Sequence, residues 1–140
     1  MRSERIDCFL DTNVLIYAAQ VRARDERRTD IARELVLASV FGLSTQSLAE
    51  FYSLATHTAR TRLRRDDTDR WIGFLSSFPL VSVDIGIVAR GIELSRRYGI
   101  RYYDAALLAA AERLGAPVFY SEDLNNGQSY GSVRVVNPFL

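Results

Sequence analysis

Short apolar runs alternate with longer amphipathic segments along the whole chain, and this alternation constrains the fold more than any other feature. The apolar runs have the length of strands, and the segments between them repeat apolar residues at helical spacing. Strands that alternate with helices predict an α/β fold with a mostly parallel, twisted sheet flanked by helices. The 140 residues contain no internal repeat or linker, so we expect one domain over residues 1–140.

The boundaries of the predicted elements follow from these runs. Strands are expected at residues 6–10, 41–45, 80–84, 118–121 and 133–136. Helices are expected at residues 13–20, 29–40, 45–60, 64–78, 85–99 and 103–115. Thr29 or Asp30 is expected to cap the second helix, and Gly99 and Gly115 are expected to end the last two. Apolar side chains predicted to face the core from the third and fourth helices are Leu48, Phe51, Tyr52, Ala55, Trp71, Phe74, Leu75 and Phe78.

The basic residues are all arginine, and this excludes several kinds of chemistry. Without lysine there is no Schiff-base nucleophile and no P-loop lysine. The lone His57 and the lone Cys8 exclude a zinc site of histidines and cysteines and leave little room for a Ser-His-Asp relay. Carboxylates, hydroxyls and arginine remain as the groups that can carry chemistry.

The net charge and the N-terminal stretch give expectations about binding partners and cellular location. The net charge of +1 is no signature of a nucleic-acid binder, although arginines cluster in residues 22–28 and 60–70. Such clusters can hold phosphates or can simply be solvated helix ends. The N-terminal stretch "MRSERID" has no apolar signal core, and no apolar run is long enough to span a bilayer, so a cytoplasmic location is expected. Cys8 is expected to be a small buried hydrophobe.

An aspartate interrupts the most apolar stretch of the chain, "CFLDTNVLIYAA" at residues 8–19. Asp11 follows the predicted first strand directly and precedes an apolar helix, so it is expected to be half-buried. A buried lone carboxylate is costly unless it is protonated, paired or bound to a metal. No arginine lies close in sequence, because the nearest are Arg5 and Arg22. The partner of Asp11 must therefore come from elsewhere in the fold.

Other acids fall where an α/β sheet places its ligand crevice, at the carboxyl ends of the strands. Glu122 and Asp123 follow the strand at 118–121, Asp104 begins the helix before it, and Glu50 lies in an apolar helix. Gathered carboxylates repel, and a divalent cation removes that penalty. A ligand set of oxygens alone favours a hard ion such as Mg²⁺ or Mn²⁺.

Each acid also has a purely structural interpretation. Asp104 would serve as a helix N-cap, Glu50 could lie on the wet edge of its helix, and Asp123 lies in a turn-like loop where Asp is common. The case for a site therefore depends on the set and not on one residue.

These residues, in this order, resemble the PIN-domain family, and within it the VapC-like toxins of bacterial toxin–antitoxin pairs. The segments that carry the resemblance are "FLDTNVLIYA", "TQSLAEFYSLA", "YYDAALLAAAERLGAPVFYSEDL" and "VVNPF", which together span nearly the whole chain. The resemblance implies a parallel sheet flanked by helices and a Mg²⁺- or Mn²⁺-dependent endoribonuclease. It also implies a cognate antitoxin as partner and a homodimer formed through helices.

Carried over residue by residue, the resemblance makes Asp11, Glu50, Asp104 and Asp123 the four acids of a catalytic metal site. Asp11 and Asp104 match the most dependable metal ligands of the family, and Thr12, Asn13 and Ser121 match positions that support the site through hydrogen bonds. The loop offers both Glu122 and Asp123, and "SEDL" aligns best with Asp123 as the fourth acid. The loop lacks the aromatic residue that many members carry soon after it.

Substrate contacts and two other functions stay open at this point. Arg60, Arg62 and Arg101 could grip a single-stranded RNA backbone, and Tyr102 and Tyr103 could stack on bases, although core packing is expected for at least one of these tyrosines. One alternative is a non-catalytic PIN-like module that binds RNA or a protein partner. Another is a phosphatase in which Asp11 is the nucleophile, although such enzymes normally use a lysine.

Overall fold

The structure is a computed structural model that describes residues 5–20, 25–57 and 63–140. Helices and strands alternate as the sequence predicts. The helices are α1 (Thr12–Ala19), α2 (Glu26–Ala38), α3 (Thr45–His57), α4 (Arg65–Leu75), α5 (Ile85–Tyr98) and α6 (Tyr102–Leu114). The strands are β1 (Cys8–Leu10), β2 (Phe41–Ser44), β3 (Leu80–Val81), β4 (Val118–Tyr120), β5 (Ser129–Tyr130) and β6 (Val133–Val136).

The strands form one sheet in the order β3-β2-β1-β4-β6-β5. Every pairing is parallel except that of β5 with β6, which confirms the predicted mostly parallel sheet. From β1 the chain first adds β2 and β3 on one side and later β4 and β6 on the other. The direction of winding therefore changes between β1 and β4, and in open α/β sheets ligands bind at such a switch point.

Helices cover both faces of the sheet. Alternate residues of β1 point to opposite faces, and Cys8 and Leu10 belong to a buried cluster that includes α1, α2 and α3 residues. Phe9 belongs to a second cluster built mainly from α5, α6 and the strands β4 and β6. Cys8 is buried, as predicted. A sheet covered on both faces explains why its strands read as continuous apolar runs.

Four helix starts differ from the sequence prediction, and those of α1, α4 and α6 differ by one residue each. The α2 helix begins at Glu26, and its N-cap is Asp25, whose side chain accepts a hydrogen bond from the Arg28 amide. Thr29 is buried inside the helix, so neither Thr29 nor Asp30 is its cap. The α6 helix begins at Tyr102. Its predicted end is confirmed, since the glycine that follows it has a φ of 76°, in the left-handed region that favours glycine.

Burial confirms part of the predicted core. Phe51 and Leu75 are fully buried. Tyr52 and Phe74 were expected inside and are instead 50% and 40% exposed. Tyr52 is rotated by about 100° around the helix axis from Phe51, so the face that packs on the sheet cannot include both fully. Among the described residues, none of the helices has the length and apolar character needed to cross a membrane.

Candidate active site

Asp11 lies at the switch point, immediately after β1. Its backbone amide donates to the carbonyl of Tyr120 at the end of β4, which fixes its place between the two strands. One carboxylate oxygen accepts from the Thr12 amide at 2.7 Å and the other accepts from the Ser121 hydroxyl at 2.7 Å. The side chain is therefore the N-cap of α1, and Asp11 is only 6% exposed. Its partners in the structure are neutral donors rather than an arginine.

Burial raises the pKa of Asp11 to about 7. Loss of water around the carboxylate is the main cause, and the nearby carboxylates of Asp123 and Asp104 add to it. The hydrogen bonds from Ser121 and Thr12 act in the opposite direction and are too weak to offset burial. The surroundings of Asp11 thus disfavour its ionised form, and a cation bound there would stabilise that form.

Glu50 reaches the same place from α3. One of its carboxylate oxygens accepts from the Thr12 hydroxyl at 2.8 Å, and the other accepts from the Gln46 side-chain amide at 2.8 Å. The same Gln46 amide donates to the backbone carbonyl of Tyr103 at 3.0 Å, so it joins α3 to α6. Gln46 was not among the residues predicted from the sequence. Its position four residues before Glu50 on a helix was the available signal.

Asp104 lies in the first turn of α6. The structural interpretation would make it the N-cap of that helix, and it is not. The N-cap is Arg101, which makes no side-chain capping bond. The Arg101 guanidinium lies 3.4 Å from an Asp104 carboxylate oxygen, and the side chains are 70% and 20% exposed. A carboxylate in the first turn also interacts favourably with the helix dipole. Asp104 is thus free of a capping role and faces the other acids.

Asp123 and its neighbour Glu122 point to different places. The Asn13 side-chain amide donates to Asp123 at 3.0 Å, and the Asp123 backbone amide donates to the Ser121 hydroxyl at 3.1 Å. Partial burial and the charge of Asp104 raise the pKa of Asp123, while the bond from Asn13 lowers it. The Glu122 carboxylate instead accepts from the Tyr17 hydroxyl. In this structure Asp123 is the acid that joins the other three.

The four acids line one pocket of about 330 Å³. They come from the end of β1, from α3, from α6 and from the loop after β4. Its lining residues are Asp11, Thr12, Asn13, Glu50, Ser53, Leu54, Arg101, Asp104 and Asp123. The lining thus contains four carboxylates and one guanidinium, an excess of negative charge in a partly buried space.

The donor set fits a hard divalent cation, because it consists of oxygens from carboxylates, a hydroxyl and an amide. Within residues 5–20, 25–57 and 63–140, however, no three acidic, histidine or cysteine side chains are grouped so that they could hold a metal ion as they stand. Each of the four carboxylates is turned toward a hydrogen-bond donor from the protein. To share one cation these carboxylates would have to come closer together, and each can keep its hydrogen bond while doing so, because a carboxylate has about four acceptor sites.

Of the three arginines predicted to contact the substrate, the structure describes one. Arg101 lines the pocket. Arg60 and Arg62 lie outside the described residues, as does part of each arginine cluster. Arg27 donates to the backbone carbonyl of Phe139, and so it is engaged in an internal contact.

The two tyrosines predicted to stack on bases differ in exposure. Tyr103 is 56% exposed, whereas Tyr102 is partly buried and its ring lies against Gly91 of α5. Tyr102 therefore packs against α5 but is only partly buried, which is less than the core packing expected for one of the pair.

A known protein family matches most of the chain. The model of the PIN domain family matches residues 8–126. No curated protein matches the sequence.

Solved structures share the fold at low sequence identity. A toxin–antitoxin complex from Klebsiella pneumoniae is similar with a TM-score of 0.70 and 20% identity, over 94% of this chain and 98% of that one. VapC20, a Sarcin-Ricin loop cleaving toxin from Mycobacterium tuberculosis, is similar with a TM-score of 0.67 and 18% identity, over 84% of this chain and 90% of that one. DNA-bound VapBC from Salmonella typhimurium is similar with a TM-score of 0.63 and 18% identity, over 94% of this chain and 97% of that one.

Proposed function

This chain belongs to the PIN domain family, and on that premise we propose that it is a Mg²⁺- or Mn²⁺-dependent endoribonuclease that cleaves single-stranded RNA as the toxin of a toxin–antitoxin pair. One observation carries the proposal. Carboxylates from four separate elements line a single pocket at the switch point of the sheet. A set of acids this close has an electrostatic cost that a structural role does not explain, and a cation would relieve it.

Asp11 and Asp104 are the proposed principal metal ligands, with Glu50 and Asp123 completing the set. A bound divalent cation supplies Lewis acidity, which offsets charge on the attacked phosphate and makes water a better nucleophile at neutral pH. Thr12 and Asn13 orient two of these carboxylates, since they donate hydrogen bonds to Glu50 and Asp123.

The protein's own groups then bind the RNA and move the proton. Water attacks phosphorus in line with the leaving ribose oxygen, and the bond between phosphorus and that oxygen breaks. A carboxylate of this set accepts the proton from the water, and the leaving oxygen takes a proton from solvent. Arg101 lines the pocket with an exposed guanidinium that can hold a phosphate oxygen of the chain. Tyr103, two residues further along the chain, is 56% exposed and offers a face on which a base can stack.

The proposed partners are a cognate antitoxin and a second copy of the chain, and the proposed location is the cytoplasm. Support for the antitoxin comes from the similar structures, which include a toxin–antitoxin complex and a VapBC bound to DNA. Their identity to this chain is 20% or less, so they support the fold directly and the partner only by analogy.

A non-catalytic module that binds RNA or a partner is the second candidate. The observation that favours it is that, within the described residues, the acids are not grouped to hold a metal ion as they stand. The two functions differ in a simple property, since a nuclease of this kind must bind Mn²⁺ and a binding module need not.

The test is cleavage of a labelled single-stranded RNA mixture with Mg²⁺ or Mn²⁺, with EDTA as one control. The variant is Asp11→Asn, and Asp30→Asn on the exposed face of α2 is the matched control. Calorimetric titration with Mn²⁺ accompanies the assay. We expect cleavage by the wild type and by Asp30→Asn, and none by Asp11→Asn or with EDTA.

Two other results are informative. Mn²⁺ binding without cleavage would mean that the substrate is narrower than the mixture, and individual transfer, ribosomal and messenger RNAs would then be tested. Absence of both cleavage and Mn²⁺ binding would overturn the nuclease and support the binding module. The toxin role is tested separately, by growth arrest on expression of the wild type but not of Asp11→Asn.

A further inference from the structure

The acid next to the site, Glu122, is fixed by contacts that point away from the pocket. Its carboxylate accepts from the Tyr17 hydroxyl at 2.5 Å and from Arg28 Nε at 3.1 Å. The Glu122 side chain is 19% exposed. These two bonds engage both of its oxygens, so the loop after β4 is attached at this residue to α1 and α2.

Arg28, the cation in this contact, is itself held in place. Its guanidinium donates to Asp25 at 2.6 Å. It also lies over the rings of Tyr17 and Phe139, at 6.0 Å and 5.4 Å from their centroids, and those two rings meet edge to face. A guanidinium with an ionic partner and two aromatic neighbours has little freedom to follow a moving carboxylate.

The position of Glu122 in the loop makes this attachment relevant to the site. It lies between Ser121, which donates to Asp11, and Asp123, which lines the pocket. The chain bends here, and the two neighbouring side chains diverge: Glu122 contacts Tyr17 and Arg28, whereas Asp123 lines the pocket. Holding Glu122 on the outer side therefore fixes the bend that presents Asp123 to the pocket, and it keeps a further negative charge out of it.

We propose that Glu122 is a positioning residue, which through its contacts with Tyr17 and Arg28 holds the Ser121–Asp123 segment so that the Asp123 carboxylate faces the acidic pocket. The proposal deepens the proposed function, on which its consequence for metal binding rests. Its structural part, the orientation of Asp123, stands independently of any nuclease activity.

The test compares Glu122→Gln, Tyr17→Phe and their double variant with the wild type. Glutamine removes the negative charge that attracts Arg28 and leaves one oxygen to accept hydrogen bonds in place of two, while phenylalanine removes only the hydroxyl. The matched control is Glu112→Gln, because Glu112 also pairs with an arginine, Arg90, at similar exposure and outside the pocket. Two quantities are measured, namely hydrogen exchange at the Asp123 amide without metal, and the Kd for Mn²⁺ by calorimetry.

We expect exchange at the Asp123 amide to become faster in Glu122→Gln and Tyr17→Phe and to stay unchanged in Glu112→Gln. The Kd for Mn²⁺ should rise by roughly 10- to 100-fold in Glu122→Gln, the usual effect of removing a group that orients a metal ligand. In the double variant, the loss of Mn²⁺-binding free energy should be smaller than the sum of the losses in the two single variants, since both changes remove the same support.

Wild-type exchange at the Asp123 amide in both single variants would overturn the proposal, as would an equal effect from Glu112→Gln. If the wild type fails to bind Mn²⁺, the metal site of the proposed function is wrong, and amide exchange still decides whether Glu122 positions Asp123. Should Glu122→Gln fail to fold, Tyr17→Phe alone provides the test, because it deletes a single oxygen.

Discussion

The Ser121 hydroxyl donates a 2.7 Å hydrogen bond to Asp11 across the ends of two neighbouring parallel strands. The register that pairs Leu10 with Tyr120 makes this contact, because the residue after each of them is brought side by side. The same hydroxyl accepts from the Asp123 amide at 3.1 Å. One fully buried oxygen thus orients two of the four acids in the pocket.

We predict that Ser121→Ala destabilises the protein. Removing the hydroxyl leaves the buried Asp11 carboxylate and the Asp123 amide each without a partner that they have now, at a cost of about 1–3 kcal/mol in the free energy of unfolding. Urea unfolding measures this change. Ser77→Ala is the control, since it deletes an exposed hydroxyl bond to a backbone carbonyl. Equal losses in the two variants would contradict a special role for Ser121.

We predict that Asp11→Asn abolishes cleavage without lowering thermal stability in EDTA. Asparagine caps a helix about as well as aspartate, so the bond to the Thr12 amide can persist. The change also removes a buried charge close to Asp104 and Asp123. Thermal unfolding checks the prediction. A loss of stability as large as that of Ser121→Ala would mean that the ionised carboxylate is needed for folding.

We predict that Arg101→Ala separates metal binding from RNA binding. The guanidinium adds positive charge to the acidic pocket, so its removal should strengthen Mn²⁺ binding in the absence of RNA, by up to about fivefold for an exposed ion pair. Affinity for single-stranded RNA should fall, and the log–log slope of its salt dependence should decrease by roughly 0.7 for each phosphate that the protein no longer neutralises. Calorimetry measures the first effect, and fluorescence anisotropy in the Asp11→Asn background measures the second.

The control for Arg101 is Arg70→Ala. Arg70 makes an ion pair with Asp67 that has the same sequence spacing, a similar distance of 3.3 Å and a similar exposure of 78%, but it lies on α4. We expect this variant to leave the Kd for Mn²⁺ unchanged. A matching rise in Mn²⁺ affinity in both variants would show a general effect of charge and not one of the pocket.

We predict an acid-dependent contribution to stability from Asp84, the N-cap of α5. The ion pair with Arg113 and the bond from the Ile87 amide lower the pKa of Asp84 to about 2. A carboxyl whose pKa is lower in the folded state than its usual 3.8 stabilises the fold above that value, and the contribution is lost as the pH falls through about 2. Asp84→Asn should therefore be less stable than the wild type at pH 7, and this difference in the free energy of unfolding should be much smaller near pH 2.

Urea unfolding at the two pH values measures the difference for Asp84. Asp30→Asn, on the exposed face of α2, controls for the loss of one negative charge. If wild type and Asp84→Asn differ in the free energy of unfolding by the same amount at both pH values, the cap acts through its shape and not its charge.

Much of the fold could be predicted because its determinants are local. The apolar runs at Cys8–Leu10 and Val118–Tyr120 are strands as expected, and Gly115 ends α6 as expected. The two-residue strand β5 was missed, since so short a segment has no periodicity and exists only through its pairing with β6. The start of α2 was placed too late because Asp25 precedes its apolar residues by several positions.

The four acids could also be proposed from the sequence. Asp11 and Asp123 follow predicted strands, Asp104 begins a helix and Glu50 lies within an apolar one, and the family resemblance selects Asp123 over Glu122. What sequence could not decide is which neighbours each acid would meet. Gln46 contacts Glu50 and the backbone of Tyr103, and Glu122 turns outward to Tyr17. Such pairings join residues far apart in the chain, and no local pattern encodes them.

The sequence by itself determined the alternation of strands and helices, the acids available for chemistry and the absence of lysine. Only the tertiary structure decided that Asp11 meets neutral donors, that Glu122 turns outward to Tyr17 and Arg28, and that Arg101 lies beside Asp104. The physical reason is that helix and strand propensity and hydrophobic periodicity are properties of a few neighbouring residues. The register of β1 against β4 and the packing of α3 and α6 act across the whole chain, and they set the distances on which a site depends.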